Sequence, residues 1–521
     1  MFRLLRGARP ALLVLFACSA ASGVDLFVSS SRGSDTNSGA SPQAAWATLE
    51  HAAGASLGLR GGRILLRAGD AWQLPAPGAA GVAFGLLEGV TIGAFVDGGG
   101  DAAAAARPRL LRTSPVLSGA TLVCSDCSSV FISGLEIVGG QYGVAFEFNS
   151  PAGPDGGSFG NLSVVDCSFA NLRGVDYDPG SGQWWGAAVA LASAVASGPV
   201  ELVNVTLAHN VVALSDTLFQ PFVEWPNTNP CTVTHLVVDA NACVGCSYNA
   251  LFLATMQVAT VTRNVFLRDT PAKLFSGGTT DIIIGFLDAR SSVTDNEITA
   301  RGEFAGAPDG CAIDFETNST GLLLARNYIS RAWGAGVMVF GHDAPSRDLL
   351  LVNNTLVRNS CSGSVSPDRG QFAFTSPGSS GVISGNLVIT CAGAPFFQDG
   401  SEPGLPLWTI EGNVLDGPGG NGSLAVAAAP VVTAAALPGG GLRVTATSPS
   451  PGTMLVYTTD GSRPERSSPP FPDAGLELPP AFRATAVFVK AYWTAPPPGA
   501  VAVESESAGG IVSPFNNASC C

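Results

Sequence analysis

Three carboxylates lie within eight residues, DGCAIDFE at 309–316, of a chain in which 13% of the residues are charged. Alternate side chains of a strand share a face, so Asp314 and Glu316 would point outward together, with Cα atoms about 6.5–7 Å apart. Carboxylates at this spacing can serve as the acid and base, or the acid and nucleophile, of a glycoside hydrolase. Asp309, just before the strand, can add a third oxygen. We predict all three as catalytic residues; the alternative is a solvated polar face.

The same alternation assigns Cys311, Ile313 and Phe315 to the core. A similar strand, GVAFEF at 143–148, has Val144, Phe146 and Phe148 in the inward positions and Ala145 and Glu147 in the outward ones. Repetition of this pattern indicates a long outward wall, on which a polysaccharide can lie.

Three further residues are predicted to bind substrate. Arg331 can orient a carboxylate, and Trp333 in the following connection can stack on a sugar ring. His342 ends the next strand, about one rung above Asp314, although it can equally be a turn residue bonded to the backbone. The polysaccharide, or the glycan of a glycoprotein, is the predicted partner.

No cofactor is required by this prediction, although the three carboxylates suit calcium as ligands. A calcium-assisted polysaccharide lyase or epimerase would need a basic residue beside the metal. Lys273 is the only lysine ahead of Lys490, and it falls in a loop. This reading is the weaker enzymatic alternative.

A repeated polar residue, usually Asn, precedes short apolar runs every 23 to 38 residues along the chain. The instances are Asp166, Asn204, Asn241, Asn264, Asn296, Asn327, Asn354, Asn386 and Asn413. Repeats of this length without helical periodicity predict an all-β solenoid, the parallel β-helix, in which stacked Asn amides form a ladder. Parallel strand crossovers favour the right-handed sense.

The segments DLFVSSSRGSDTNSGASPQAAWATLEHAAG (25–54) and GGRILLRAGDAW (61–72) resemble the opening of secreted right-handed β-helix proteins of the pectate-lyase-like superfamily. The resemblance implies a β-helix over 24–417, with a short helix near 47–53 closing its end. It leaves the activity open, because lyases, hydrolases, epimerases and adhesins share this fold. DGCAIDFE and GAGVMVFG also resemble polygalacturonase-like hydrolases, but Gly310 and Ala335 replace that family's aspartate and histidine.

The sequence after residue 427 changes character. YTTDGSRP at 457–464, with the alternating run VFVKAYW, resembles the small Ig-like β-sandwich at the C-terminus of chitobiases and some fucosidases. The resemblance implies an accessory domain over 428–506, and residues 507–521 are predicted to be a tail.

The N-terminus and the composition bear on the compartment. Residues 1–23 combine arginines, an apolar run and small residues, which predicts a signal peptide and an extracellular, secreted protein without a membrane span. A net charge of −14 argues against nucleic acid as a partner. Six N-x-S/T sequons also fit secretion: Asn161, Asn204, Asn318, Asn353, Asn421 and Asn517.

Of the 12 cysteines, Cys18 belongs to the predicted signal peptide. The pairs Cys124/Cys127 and Cys243/Cys246 are predicted to be disulfides rather than a zinc site, because the protein is predicted to be exported. The odd remainder leaves one cysteine that is either free or paired with another molecule, and the adjacent Cys520 and Cys521 could tether a partner.

These observations predict a secreted glycoside hydrolase. The alternative that is not an enzyme is an extracellular scaffold, in which the solenoid is a rigid rod and the sandwich binds glycan.

Overall fold

The protein is represented by a computed structural model with all side chains. It describes residues 23–74, 81–99, 105–112, 119–149, 158–174, 186–193, 200–221, 232–247, 249–253, 256–268, 282–284, 290–300, 310–315, 319–340, 344–361, 370–375, 378–391, 394–399, 407–416, 424–438, 441–479, 485–494 and 500–512.

The chain coils through three parallel sheets, and successive rungs pair strand by strand, so the predicted parallel β-helix is confirmed. Among the described residues, the first sheet contains Asp25–Val28, Arg63–Arg67, Thr91–Phe95, Phe131–Ser133, Phe159–Val165, Glu201–Ala208, Thr232–Asp239, Met256–Thr262, Ser292–Thr294, Leu323–Ala325, Leu349–Val352, Gly381–Ser384 and Trp408–Glu411. The second contains Val82–Gly85, Ala120–Ser125, Tyr142–Phe148, Ala187–Ser193, Thr217–Gln220, Leu251–Phe252, Ile282–Ile284, Ile313–Phe315, Val337–Val339, Phe372–Phe374 and Phe397–Asp399. The third contains Ala71–Gln73, Arg109–Leu111, Glu136–Val138, Ser168–Ala170, Val211–Ala213, Ala242–Val244, Val265–Arg268, Glu297–Ala300, Tyr328–Ser330, Thr355–Val357, Leu387–Ile389 and Val414–Asp416.

An asparagine ladder runs along the turn from the first sheet to the third. Each amide Nδ2 donates to the Oδ1 of the next Asn at 2.8–3.1 Å, and the backbone N–H of each Asn donates to the same oxygen. The residue ahead of each ladder Asn is left-handed, with φ of 53–65°, which bends the chain out of the strand. The members are Asn210, Asn241, Asn264, Asn296, Asn327, Asn354, Asn386 and Asn413.

The predicted ladder is therefore confirmed over seven of its nine positions and wrong at two. After the strand Glu201–Ala208 the ladder residue is Asn210, not Asn204, which is exposed within that strand. One rung earlier Cys167, not Asp166, follows the turn, and its N–H donates to Asn210 Oδ1 at 3.0 Å.

The N-terminal end of the solenoid is closed as predicted. The helix Leu49–Ala55 begins after Thr48, whose hydroxyl accepts the His51 N–H, and it buries Leu49, Ala52 and Ala53 against the core. Two short 3-10 turns cover Pro42–Ala44 and Asp97–Gly99. Among the described residues, no helix is both long and apolar enough to cross a membrane.

The cysteine predictions are confirmed in part. Cys243 and Cys246 form a disulfide, and a second one joins Cys361 to Cys391. Cys124 and Cys127 are free thiols packed in the solenoid core, so their predicted disulfide is wrong. The signal peptide, Cys18, Cys520 and Cys521 lie outside the described residues.

Antiparallel strands follow the solenoid and form a sandwich. One sheet contains Val431–Ala436, Leu442–Thr447 and Leu476–Leu478, and the other contains Thr453–Thr458, Thr485–Trp493 and Ala508–Val512. Leu424–Val426 and Val501–Val503 pair in parallel beside them. Residues 508–512, predicted to belong to a tail, are thus an edge strand paired with 485–489.

The sandwich lies against the outer face of the third sheet. Phe488 and Ala486 pack on side chains of this sheet such as Val265, and Val503 packs near Tyr328 and Val357. The described parts of the two domains thus share buried contacts in at least two apolar clusters.

Candidate functional site

The candidate site is the outer face of the second sheet. The predicted alternation is confirmed in Tyr142–Phe148, where Val144, Phe146 and Phe148 lie in the core, Ala145 packs outside it, and Glu147 is half-buried. Further along, Leu251 and Leu253 are core residues, so Phe252 between them points outward. Gln220 also points outward, in register with Ala190.

Asp314 belongs to this face, because Ile313 and Phe315 on either side of it lie in the core. It pairs in register with Ile283 and Met338 on the neighbouring rungs. Its outward direction is therefore as predicted, but Asp314 is only 1% exposed, so the alternative of a solvated polar face is wrong at this position. Met338, its register partner on the next rung, belongs to an apolar cluster with Cys311, Ala335 and Ala373.

Cys311 was predicted to face the core, and this is also wrong. Its Sγ lies 3.8 Å from Met338 Sδ in the outer cluster with Ala335 and Ala373, whereas Ala312 lies in the core. The strand begins only at Ile313, so the alternation cannot be extended back through the bend before it.

Asp309, Glu316 and His342 lie outside the described residues, as does Lys273. The proposed pairing of Asp314 with Glu316 therefore stays a prediction. Within the described part of the chain, no group of three His, Cys, Asp or Glu side chains is placed to hold a metal ion.

Trp333 is brought to the start of the Asp314 strand. The Gly334 N–H donates to Gly310 O at 2.8 Å, so these two residues stack on successive rungs. A Cβ on Gly310 would lie 2.9 Å from Trp333 Cδ1, which means that the half-buried indole packs directly on this glycine. Gly310 also has a φ of 64°, so the position favours glycine for two reasons.

Arg331 is directed elsewhere. Its Nε lies 2.7 Å from Glu506 Oε1 of the C-terminal sandwich. This ion pair holds the guanidinium towards the sandwich, and the role of Arg331 in orienting a carboxylate or a substrate stays a prediction. A left-handed φ of 58° at Arg331 turns the chain from the third sheet towards the second.

Three residues of the second-sheet face were not among the predicted site residues. Burial raises the pKa of Glu147 above its ordinary value. Gln220 is 3% exposed, and its Oε1 has no hydrogen-bond partner within the part of the chain that the structure describes. Phe252 is half-buried beside it. The sequence signal for Glu147 and Phe252 was their position between two core residues, whereas Gln220 follows the core residue Phe219.

The solenoid resembles solved structures of β-helix proteins. The chain matches a GH136 lacto-N-biosidase from Eubacterium ramulus with a TM-score of 0.54 and 14% identity, over 75% of this chain and 68% of that one. The selenomethionine derivative of the same protein gives a TM-score of 0.52 and 14% identity, over 75% of this chain and 67% of that one. An alginate lyase from Paenibacillus sp. str. FPU-7 gives a TM-score of 0.39 and 10% identity, over 75% of this chain and 99% of that one. No protein-family model and no curated protein matches the chain. These identities establish the likeness of fold alone.

Proposed function

We propose that the protein is a secreted, polysaccharide-active enzyme, a glycoside hydrolase in which Asp314 is one of two catalytic carboxylates. The observation that carries this proposal is the position of Asp314. It is a carboxylate on the outer face of the solenoid, withdrawn from water to 1% exposure beside Met338. A carboxyl group in such an environment is suited to transfer a proton to a glycosidic oxygen.

Two further facts support the proposal. The GH136 lacto-N-biosidase that shares the fold has a name that denotes action on a glycan. Trp333 packs on Gly310, four residues ahead of Asp314, so an aromatic ring lies at the entrance to the same strand. Glu316, two residues after Asp314, is the proposed partner carboxylate, and Asp309 supports the pair.

The test is an activity screen of the mature secreted protein on neutral and acidic polysaccharides. The screen follows new reducing ends and the ultraviolet absorbance of unsaturated uronates, with and without calcium. Reducing ends without absorbance support the hydrolase. Absorbance that requires calcium would replace it with the lyase, and Lys273 would then be the residue to substitute.

A non-catalytic glycan-binding scaffold is the second candidate. The departure from the polygalacturonase-like signature favours it, since Gly310 and Ala335 stand where that family has its aspartate and histidine. Retained binding to immobilised polysaccharide without release of any product would establish the scaffold and end the hydrolase proposal.

A further inference from the structure

The outer face of the second sheet contains a short column of residues that differs from its surroundings. Before it, the outward residues Val123, Ala145 and Ala190 are small or apolar. The column itself has Gln220, Phe252, Ile283 and Asp314 in register on four successive strands. Adjacent parallel strands are about 4.8 Å apart, so Gln220 and Asp314 are separated by about 14 Å along the face.

Gln220 has a feature that calls for a ligand. Phe219 pairs with Leu251 in the core, which sets Gln220 directly beside Phe252 on the outside. The Gln220 side chain is more than nine-tenths buried, yet its Oε1 accepts no hydrogen bond from the residues that the structure describes. A buried carbonyl oxygen without a donor costs about 1–3 kcal/mol, so such groups usually have a partner that binds to them.

Phe252 supplies the complementary surface. It is half-buried, and it points outward between two core leucines on a short strand. An aromatic ring presents an apolar face to the C–H groups of a sugar, while an amide next to it can accept a hydroxyl hydrogen. This pairing of a flat ring with a polar group is the chemistry that recognises a pyranose.

The charge of the face selects among glycans. Its described outward carboxylates are Glu147 and Asp314, and the whole chain has a net charge of −14. Negative groups on the binding face repel a polyanionic chain such as a polyuronate, but they do not repel a neutral one.

We infer that Gln220 and Phe252 form a binding subsite for a neutral sugar residue, and that the substrate is a neutral polysaccharide lying along this column towards Asp314. The inference rests on the proposed function in one respect, that the polysaccharide extends towards a catalytic Asp314. Binding at the subsite itself can be tested without turnover.

The experiment measures binding of cellohexaose, xylohexaose, mannohexaose and chitohexaose, with hexagalacturonate as the anionic probe. The full-length Asp314→Asn variant is used so that the probes are not cleaved. Removing one negative charge favours the anionic probe, which makes the comparison stricter. We expect at least one neutral probe to bind, and hexagalacturonate to bind at least about tenfold more weakly, a difference of about 1.4 kcal/mol.

Two substitutions in that background locate the subsite. Phe252→Ala should weaken binding of the neutral probe about tenfold or more. The matched control is Phe131→Ala, which removes a half-buried aromatic ring from the outer face of the first sheet and should leave binding unchanged. Gln220→Leu should weaken binding while leaving the unfolding midpoint unchanged or raising it, because it replaces a buried amide oxygen that has no donor.

The inference is overturned if no neutral probe binds, if hexagalacturonate binds more tightly, or if Phe252→Ala binds as tightly as Phe131→Ala. A loss of stability in Gln220→Leu would show that the amide has a structural role and would overturn the assignment of Gln220 to the subsite. Turnover by the wild-type protein with unaffected binding in Phe252→Ala would refute the subsite and leave the hydrolase standing. Weakened binding in Phe252→Ala with no turnover by the wild type would support the subsite and refute the hydrolase.

Discussion

Lys490 Nζ of the sandwich lies 2.9 Å from Glu297 Oε2 of the solenoid, and neither side chain has any exposed surface. The two residues are 193 positions apart in the chain. Ser507 adds its N–H and hydroxyl to the same carboxylate at 2.5 and 2.6 Å. The Lys490 ammonium also lies 4.4 Å from the ring centre of Tyr328. A buried charge pair satisfied in this way fixes one position of the sandwich on the third sheet.

Loss of one partner from this pair should destabilise the whole protein. Lys490→Met leaves the Glu297 carboxylate buried without its counter-charge, and we expect a loss of about 3–5 kcal/mol in the free energy of unfolding. Glu297→Gln should cost less, because Glu504 Oε1 still lies 3.2 Å from the Lys490 ammonium. The measurement is urea unfolding followed by tryptophan fluorescence and circular dichroism.

The double variant Glu297→Gln, Lys490→Met is the control. It removes both charges, so it should recover most of the loss, and the coupling energy of the cycle gives the strength of the pair. Single and double losses that simply add would show that the two side chains do not interact. Two separate unfolding transitions in the wild type would show that the domains do not share the interface.

Acid should weaken the same interface. Burial alone would raise the pKa of Glu504, but Arg463 and Lys490 together hold it at about 2. A carboxyl whose pKa is lower in the folded state than in the unfolded one contributes stability above the ordinary value of 4.5. That contribution is lost as the pH falls from about 4.5 towards 2.

The check is the unfolding midpoint of the wild type and of Glu504→Gln between pH 2 and pH 7. The wild type should be more stable at pH 7, and the difference should shrink towards pH 2. Asp460→Asn, at a carboxylate that is more than half exposed, is the matched control and should show little pH-dependent difference. A difference in unfolding midpoint between the wild type and Glu504→Gln that is the same at pH 2 and at pH 7 would contradict the prediction.

The sequence predicted what repeats in the fold and missed what depends on contacts between rungs. Asparagines recur at solenoid spacing, so the ladder could be read directly. Asn204 and Asn210 both precede Val, but Asn210 follows the left-handed His209 and is buried in the turn, whereas Asn204 is exposed within a strand. The burial of Asp314 and the pairing of Arg331 with Glu506 depend on segments distant in the chain, which periodicity does not reveal.

A break in the asparagine ladder should be costly at its centre. Asn296 Oδ1 accepts the backbone N–H of Asn264 at 3.0 Å and its Nδ2 at 2.9 Å. Asn296→Ala leaves the buried Asn264 N–H without an acceptor, whereas Asn264 Nδ2 keeps Val238 O and Thr262 O, so we expect a loss of roughly 1–3 kcal/mol. Chemical unfolding measures it, with the exposed Asn204→Ala as the control. Equal stability of the two variants would show that the ladder does not support the solenoid.

Because Asn204 is exposed rather than part of the ladder, its sequon is accessible to glycosylation. As a ladder residue it would have been inaccessible, but it is exposed and donates to Asn161 Oδ1 at 3.1 Å, and both belong to sequons. If the protein is secreted by a cell that glycosylates, peptide mapping should find glycan on Asn204 or Asn161. Asn353→Gln, at an exposed sequon one residue ahead of the ladder, should remove only its own glycan. Unmodified peptides at both Asn161 and Asn204, alongside a modified Asn353, would contradict this prediction.

Asp314→Asn is the decisive substitution for catalysis. It keeps the shape of a side chain that is only 1% exposed, so the unfolding midpoint should stay within about 2 °C of the wild type. Removal of a general acid or base should lower kcat at least about 100-fold. Glu147→Gln is the matched control, since it neutralises a carboxyl on the same face five strands away, about 24 Å. We expect it to retain its kcat. Full turnover by Asp314→Asn, or an equal loss in Glu147→Gln, would remove Asp314 from the chemistry and leave its burial as a matter of packing.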